Sequence, residues 1–499
     1  MPLPPSGSPR PPRRGLALGV IAASTLMTVL DGSVVTVAMP AVQRDLGLGP
    51  EGLTWVVNAY LVVFGSLLLL AGRLGDLLGR TRVFVAGTAV FTAASLLAGL
   101  AAGPAVLIAA RLLQGAGSAM TAAVGLGILA ALHPEGRERA RALAVFGFTG
   151  AAGASAGQVL GGVLTDVLDW HWVFLVNLPV GAAVLALAGP ALPADRGLGL
   201  RAGADLWGAL LITAGLMAAL YGIVGAATYG WAAPRTLVPV LAGAALVAAF
   251  LLRQSRARTP LLPLRVLRPR AVAGANLVQL LLVAALFAFQ VLVALYLQNV
   301  LGYDATRTGL AMLPAALAIG AVSLGASARL IARHGERAVL RAGLVLLTGA
   351  LALLARLPVH ADYVRDVLPS MLLVAGFGLA MPALTALGMS GADAGEAGLV
   401  SGLFNTTQQI GSALGVALLS ALAATRTDAL VRQGGSRPGA LTGGYHLAFA
   451  VGAGLLLLAL SAATVLLRRH PAPRPPAAPG PASARRPGRR PEPAAGPAS

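Results

Sequence analysis

Gly72-Arg73-Leu74-Gly75-Asp76-Leu77-Leu78-Gly79-Arg80-Thr81-Arg82 lies between two uninterrupted apolar runs, 52–71 and 83–101. A membrane span takes about 20 consecutive apolar residues, so each run reads as a spanning helix and the stretch between them as a tight turn at a membrane surface. Its glycines permit close approach, and Asp76 can sit at a positive helix N-terminus or pair with arginine. The pattern returns after a later apolar run, where Ala328-Arg329-Leu330-Ile331-Ala332-Arg333-His334-Gly335-Glu336-Arg337-Ala338 sets Arg329 opposite Arg73 and Gly335 opposite Gly79. The second copy has Ala332 where the first has Asp76. A repeated turn at this spacing predicts two related halves of six spans, with two more spans inserted between them.

Working outward, the chain offers fourteen such runs, at about 16–38, 52–71, 83–101, 105–130, 141–164, 171–189, 206–228, 236–252, 272–300, 309–331, 338–357, 365–388, 396–424 and 445–467. They predict an all-α integral membrane protein with an N-terminal six-helix bundle over 16–189, two inserted helices and linkers over 190–271, and a C-terminal bundle over 272–467. The flanks 1–15 and 468–499, rich in Pro, Arg and Ala, are expected to be disordered. Of 499 residues 57% are hydrophobic and 11% charged, which leaves no room for a large soluble domain. The net charge of +19 would suggest a nucleic-acid partner in a soluble protein. Here most arginines fall in loops on one side of the membrane, so the positive-inside rule accounts for the charge and predicts both termini in the cytoplasm. The tail arginines could also attract anionic lipid. Arg10, Arg13 and Arg14 before an apolar run imitate a secretory signal, but that run is span-length and leads into thirteen more, which predicts a retained helix.

Lysine and cysteine are absent. That excludes P-loop and Schiff-base lysines, disulfides, thiolate metal sites and thiol nucleophiles. The six histidines are scattered without i, i+4 pairing, so no metal site is predicted. Gly153-Ala154-Ser155-Ala156-Gly157 matches the G-x-S-x-G spelling of hydrolases by accident, since it lies in an apolar helix and not at a strand-turn-helix elbow. The same run, with Gly147, Gly150, Gly161 and Gly162, makes a ribbon of small residues against which another helix can pack.

Only Asp31 and Arg111 lie well inside spans. An ionised side chain at a helix centre costs about 2.5–3.5 kcal/mol on insertion scales, so it persists when paired, hydrated or functional. Apolar walls favour a neutral carboxyl and a nearby arginine an ionised one, and a group between those influences can load and release a proton. The two residues are therefore either a protonation switch or a structural ion pair. The absence of a second buried acid argues against dicationic substrates and for neutral or weakly charged amphiphiles. Polar residues at helical spacing, among them Asn58, Gln279, Gln290, Asn405 and Gln409, could line a central cavity or tie helices together. The turn at 72–82 could be a latch that opens when its contacts break, or a turn carrying positive-inside residues.

Taken in order, these segments resemble the 14-helix drug:proton antiporter branch of the major facilitator superfamily. Leu30-Asp31-Gly32 through Ala38-Met39-Pro40 is similar to that branch's opening motif, residues 72–82 to the superfamily's loop signature, and Arg111 with Gln114, Gly115 and Gly117 to its fourth-helix motif. Trp170-His171-Trp172-Val173-Phe174-Leu175-Val176-Asn177-Leu178-Pro179 resembles the signature that enters the sixth helix. The resemblance implies alternating access by two bundles and export of drugs or other small amphiphilic compounds from the bacterial cytoplasm. Inward proton flow would be the energy source, in place of any cofactor. It gives Asp31 and Arg111 proton-coupling roles, Gly72, Arg73, Gly75, Asp76, Gly79 and Arg80 a cytoplasmic gate, and Gly153, Gly157, Gln158, Gly161 and Gly162 the helix-5 antiporter motif. Gln158 departs from that motif, which has proline there. Proline would remove a backbone donor and fix a kink, so its loss bears on ion leak and coupling. The expected partners are a small substrate, protons and lipid, with the chain a monomer. Same-fold uptake of a solute is the alternative, and a non-transporting receptor or enzyme is the reading from a different class.

Overall fold

The computed structural model describes residues 14–132, 145, 149, 153, 156–193, 195, 197–199, 203–390 and 397–467. Residues 1–13, the tail 468–499 and half of the expected fifth span, 141–164, lie outside them. Among the described residues there is no strand, and thirteen helices are long and apolar enough to cross a membrane. In chain order they are α1 (Arg14–Asp45), α2 (Pro50–Leu78), α3 (Arg80–Gly99), α4 (Pro104–Leu132), α6 (Trp172–Ala191), α7 (Leu206–Tyr229), α8 (Pro234–Arg256), α9 (Arg270–Asn299), α10 (Ala305–His334), α11 (Glu336–Leu354), α12 (Tyr363–Met389), α13 (Ala397–Arg432) and α14 (Arg437–Leu466). Residues 156–167 form α5, and Gly153 just before it is also helical.

Several helices outrun the apolar stretches that predict them. α1 begins at Arg14, inside the flank expected to be disordered, and carries Pro40 on through Gln43 and Arg44. α14 starts at Arg437, where Ser436 caps it by accepting from Gly439 N. Backbone hydrogen bonds continue past the hydrocarbon wherever a cap or helix-forming residues allow, and hydropathy does not register them.

α2, α3 and α4 pack together, and α1 lies along α6; farther on, α9, α13 and α14 form one cluster joined by α11 and α12. Their buried side chains make separate apolar cores, one drawn from residues 250–467 and others from the first six helices. α2 packs on α13, and α7 lies against both. α8 packs on α7 and turns Val238, Leu241 and Leu252 outward, as a helix facing lipid should.

The inserted hairpin is pinned by Asp205, the N-cap of α7. Its carboxylate accepts from Gly208 N at 2.9 Å, Arg253 Nε at 2.6 Å and Gln254 Nε2 at 2.8 Å. Burial favours the neutral acid, but these donors outweigh it and hold the group below its ordinary 3.8. A carboxyl depressed on folding adds stability above its ordinary value and loses it as pH falls through the depressed one. Asp205→Asn is therefore expected to cost about 1–2 kcal/mol at neutral pH. Thermal melts of variant and parent should converge once the medium is acid enough to protonate the parent's carboxyl.

Candidate functional site: a buried ion pair beside a central cavity

α1 brings Asp31 to the flank of α4, where Arg111 Nη1 donates to Asp31 Oδ2 at 2.5 Å. Neither residue is more than 2% exposed. Helical spacing on α4 also brings in Gln114, three residues on, whose Nε2 donates to Asp31 Oδ1 at 3.0 Å and whose Oε1 accepts from Arg111 at 2.8 Å. Asn177, from the start of α6, donates to the same Oδ1 at 3.0 Å, and Arg111 Nε donates to Val56 O on α2 at 3.0 Å. Ser95 of α3 accepts from Gln114 Nε2 at 2.9 Å. The guanidinium lies over the Tyr60 ring, 4.4 Å from its centroid. A buried charge pair survives when its remaining lone pairs and protons are met, and here five helices meet them.

The two residues that sequence singled out for their intramembrane charge are thus one unit. Asn177, Ser95 and the ring of Tyr60 were not assigned to it. Their signal was an amide or hydroxyl inside an apolar run, too common to be read without knowing which helices touch.

Arg111 and Tyr60 also form part of the wall of a cavity of about 420 Å³ between α1, α2, α4, α9 and α13. Gln290, Asn405, Gln408 and Gln409 line it from the second half. Opposite them Thr25, Thr28 and Thr36 of α1 donate their hydroxyl protons to carbonyls of their own helix, Ile21 O, Thr25 O and Gly32 O. Toward the cavity they offer lone pairs. Asn58 and Gln279, considered with the cavity residues, do not line it. Asn58 is fully buried, and Gln279 Nε2 donates to Phe404 O at 3.0 Å, a tie between α9 and α13. Each falls on a face of its helix that meets other helices.

The arginine-bearing turn is shorter than its sequence suggests. Gly72, Arg73, Gly75 and Asp76 lie in the last turns of α2, because Leu74, Leu77 and Leu78 continue the helix. The turn is Gly79 alone, at φ +99°, a conformation that favours glycine. Arg80 Nη2 and Asp76 Oδ1 are 3.4 Å apart, each more than two-fifths exposed, a pair that adds little stability. The motif's main grip is on the connector between α6 and α7. Leu198 N and Gly199 N donate to Asp76 O and Leu77 O at 2.9 and 3.0 Å, and Asp195 Oδ2 accepts from Arg80 N at 3.1 Å. Arg73 Nε donates to Gly203 O at 3.1 Å.

The glycines of α5 have two faces. A Cβ at Gly157 would fall 2.0 Å from Ser33 Oγ, and one at Gly161 2.8 Å from Val34 O, both on α1; Gly153 faces the same helix at Leu26 and Val29. Gly162 faces α10, where a Cβ would lie 2.5 Å from Ala305 O. Beside it Gly309 of α10 approaches Gln158 O so closely that its own Cβ would stand 2.3 Å away. At this end Asp166 Oδ2 accepts from Thr306 N at 2.6 Å and Gln298 Nε2 donates to Val37 O at 3.0 Å. These contacts join the two halves.

Comparison with known proteins agrees with this geometry. A profile of the Major Facilitator Superfamily matches residues 21–416. A puromycin resistance protein of Streptomyces alboniger is 38% identical over 465 residues, covering 91% of this chain and 92% of its own. A cephamycin export protein of Amycolatopsis lactamdurans is 38% identical over 457 residues, with 90% and 92% covered. Among solved structures, an auto-inhibited peptide transporter of the POT family shares the fold at a TM-score of 0.64 and 17% identity, covering 93% of this chain and 98% of that one. The chain is a multi-pass membrane protein and belongs to the Major Facilitator Superfamily.

Proposed function

We propose that this protein is a proton-coupled exporter of small amphiphilic compounds, antibiotics among them. In this reading it works by alternating access, as a monomer in the bacterial inner membrane with both termini in the cytoplasm, and transports without catalysing. The proton gradient takes the place of a cofactor. The resistance and export proteins among its relatives support the substrate class, and the one-sided arginines support the orientation. The observation that carries the reading is the Asp31–Arg111 pair, hidden from solvent yet with its cationic half on the cavity wall.

A proton reaching Asp31 cancels the charge that Arg111 faces. The guanidinium keeps its bonds to Val56 O and Gln114 Oε1 but becomes an uncompensated cation beside the cavity, which favours a different placement of α1 against α4. Loss of the proton toward the cytoplasm restores the pair. One charge crossing 100 mV is worth about 2.3 kcal/mol, which shifts a two-state balance about fortyfold. In the same reading the 72–82 motif gates the cytoplasmic end, and the α5–α10 contact closes the other. Everted vesicles containing the protein should accumulate a fluorescent amphiphile when acidified inside, and a protonophore should empty them. Accumulation indifferent to the protonophore, or a benefit confined to growth on an external solute, would overturn the proposal.

A further inference from the structure

The lipid-facing side of α8, the least buried of the thirteen spans, ends in charge. Val238, Leu241, Ala245, Ala248 and Leu252 follow one another at spacings of three and four, all of them exposed, and the next place on that stripe is Arg256. Leu252 and Arg256 are about one helical turn, roughly 6 Å, apart. Beyond them the connector to α9 carries Arg258, Arg265, Arg268 and Arg270, each exposed. The sequence has no Asp or Glu between Asp205 and Asp304, and Asp205 already accepts from Arg253 and Gln254.

The positive-inside rule accounts for the side of the membrane on which these arginines fall. It asks nothing of how they are held, and a loose loop would satisfy it. This connector is folded. Leu261, Leu262 and Val266 are buried, the last two within the apolar core drawn from residues 250–467. Leu262 N donates to Gln254 Oε1 at 3.0 Å, and a short 3₁₀ turn over Leu264–Leu267 closes where Val266 N donates to Pro263 O at 3.0 Å. The buried residues fix the connector, so its arginines are displayed outward beside the last turn of α8.

We infer that this connector, together with the exposed stripe of α8, is a docking surface for an anionic phospholipid. Acyl chains lie along Val238 to Leu252, and the headgroup phosphate sits among Arg256, Arg258, Arg268 and Arg270. Guanidinium groups bind phosphate oxygens through paired, charge-assisted hydrogen bonds. Both parts of the partner are needed. A zwitterionic lipid offers the same chains but carries a cation of its own that the arginines repel, and a free phosphate ester has no chain to lay on the stripe. The inference goes beyond the export reading and does not depend on it.

The purified full-length protein in mild detergent is titrated with phosphatidylglycerol and with phosphatidylcholine of the same chains, and bound lipid is counted by native mass spectrometry. Phosphatidylglycerol is expected to bind at least about tenfold more tightly, because each arginine close to an anionic headgroup is worth about fivefold. Combining Arg256→Gln, Arg258→Gln, Arg268→Gln and Arg270→Gln leaves the Arg253–Asp205 pair and the buried anchors in place, and should bring the two lipids within about twofold. Removing the same charge from the tail, with Arg485→Gln, Arg486→Gln, Arg489→Gln and Arg490→Gln, should leave the preference intact. Glycerol 3-phosphate should not displace the bound lipid. The comparison on the parent protein needs no variant and so is independent of folding. A parent without the preference overturns the inference, as does a connector variant that keeps it or a tail variant that loses it. Displacement by glycerol 3-phosphate would overturn the lipid as the partner.

Discussion

Asp31→Asn is expected to reduce proton-driven export to background, at least about a hundredfold, in vesicles that contain normal amounts of the protein. Asparagine keeps the shape of aspartate and can still receive Gln114 and Asn177, but it cannot be ionised, and it leaves the Arg111 guanidinium 2% exposed with no opposing charge. Breaking a buried pair by removing one partner costs about 3–5 kcal/mol, so the single variant should also melt earlier. A second substitution separates the two effects. Asp31→Asn with Arg111→Gln removes both charges, and replacing a whole buried pair is often neutral; stability should return while export does not. An Asp31→Asn protein that still extrudes substrate on an imposed pH gradient would show that the carboxyl is structural only.

The second large effect concerns the contact between the halves. Gly162→Ala places a methyl 2.5 Å from Ala305 O and 2.7 Å from Thr306 Cα, both backbone atoms of α10 that have no rotamer by which to yield. Overpacking of this kind costs about 1–3 kcal/mol, and because it falls between the halves the cost is relieved by parting them. A penalty of that size moves a conformational balance by about fivefold to a hundredfold. Export should fall accordingly, with little change in melting temperature. The chain has no cysteine, so a single Thr36→Cys on the cavity wall reports access cleanly. An impermeant maleimide added from the side of Asp166 and Thr306 should label it several times faster when Gly162→Ala is present. Gly157→Ala is the contrast: its methyl would meet Ser33 Oγ and Leu30 O on α1, within the first half, so it should lower the melting temperature instead. Equal labelling with and without Gly162→Ala would mean that the α5–α10 contact does not govern access.

The apolar runs predicted spanning helices because bilayer thickness fixes how long such a run must be, and that constraint is local. Asp31 and Arg111 were legible for a related reason, since charge inside hydrocarbon is conspicuous on any single helix. What surrounds them was not, because Ser95, Asn177 and Val56 arrive from three other helices whose neighbours no run of residues names. Gln279 shows the same limit from the other direction: its position in α9 looked fit for a cavity, and the Phe404 carbonyl of α13 takes its amide. The 72–82 stretch looked like a loop because glycines and charges crowd it, yet its leucines carry α2 through to Leu78 and leave only Gly79 to reverse the chain. Gln158 stood out in sequence as a departure from a motif, whereas what the fold uses at this position is its backbone carbonyl, against which Gly309 of α10 packs.

The grip of Asp195, Leu198 and Gly199 on the end of α2 has a consequence for biosynthesis. The last carbonyls of a helix have no donors of their own, and those of Asp76 and Leu77 receive theirs from Leu198 and Gly199. While the chain is being made, the arginine-rich corner must wait until the sixth helix has left the ribosome and entered the bilayer before its backbone is complete. A nascent chain arrested before Leu198 should therefore expose that corner to proteases, and one released just beyond Gly203 should protect it.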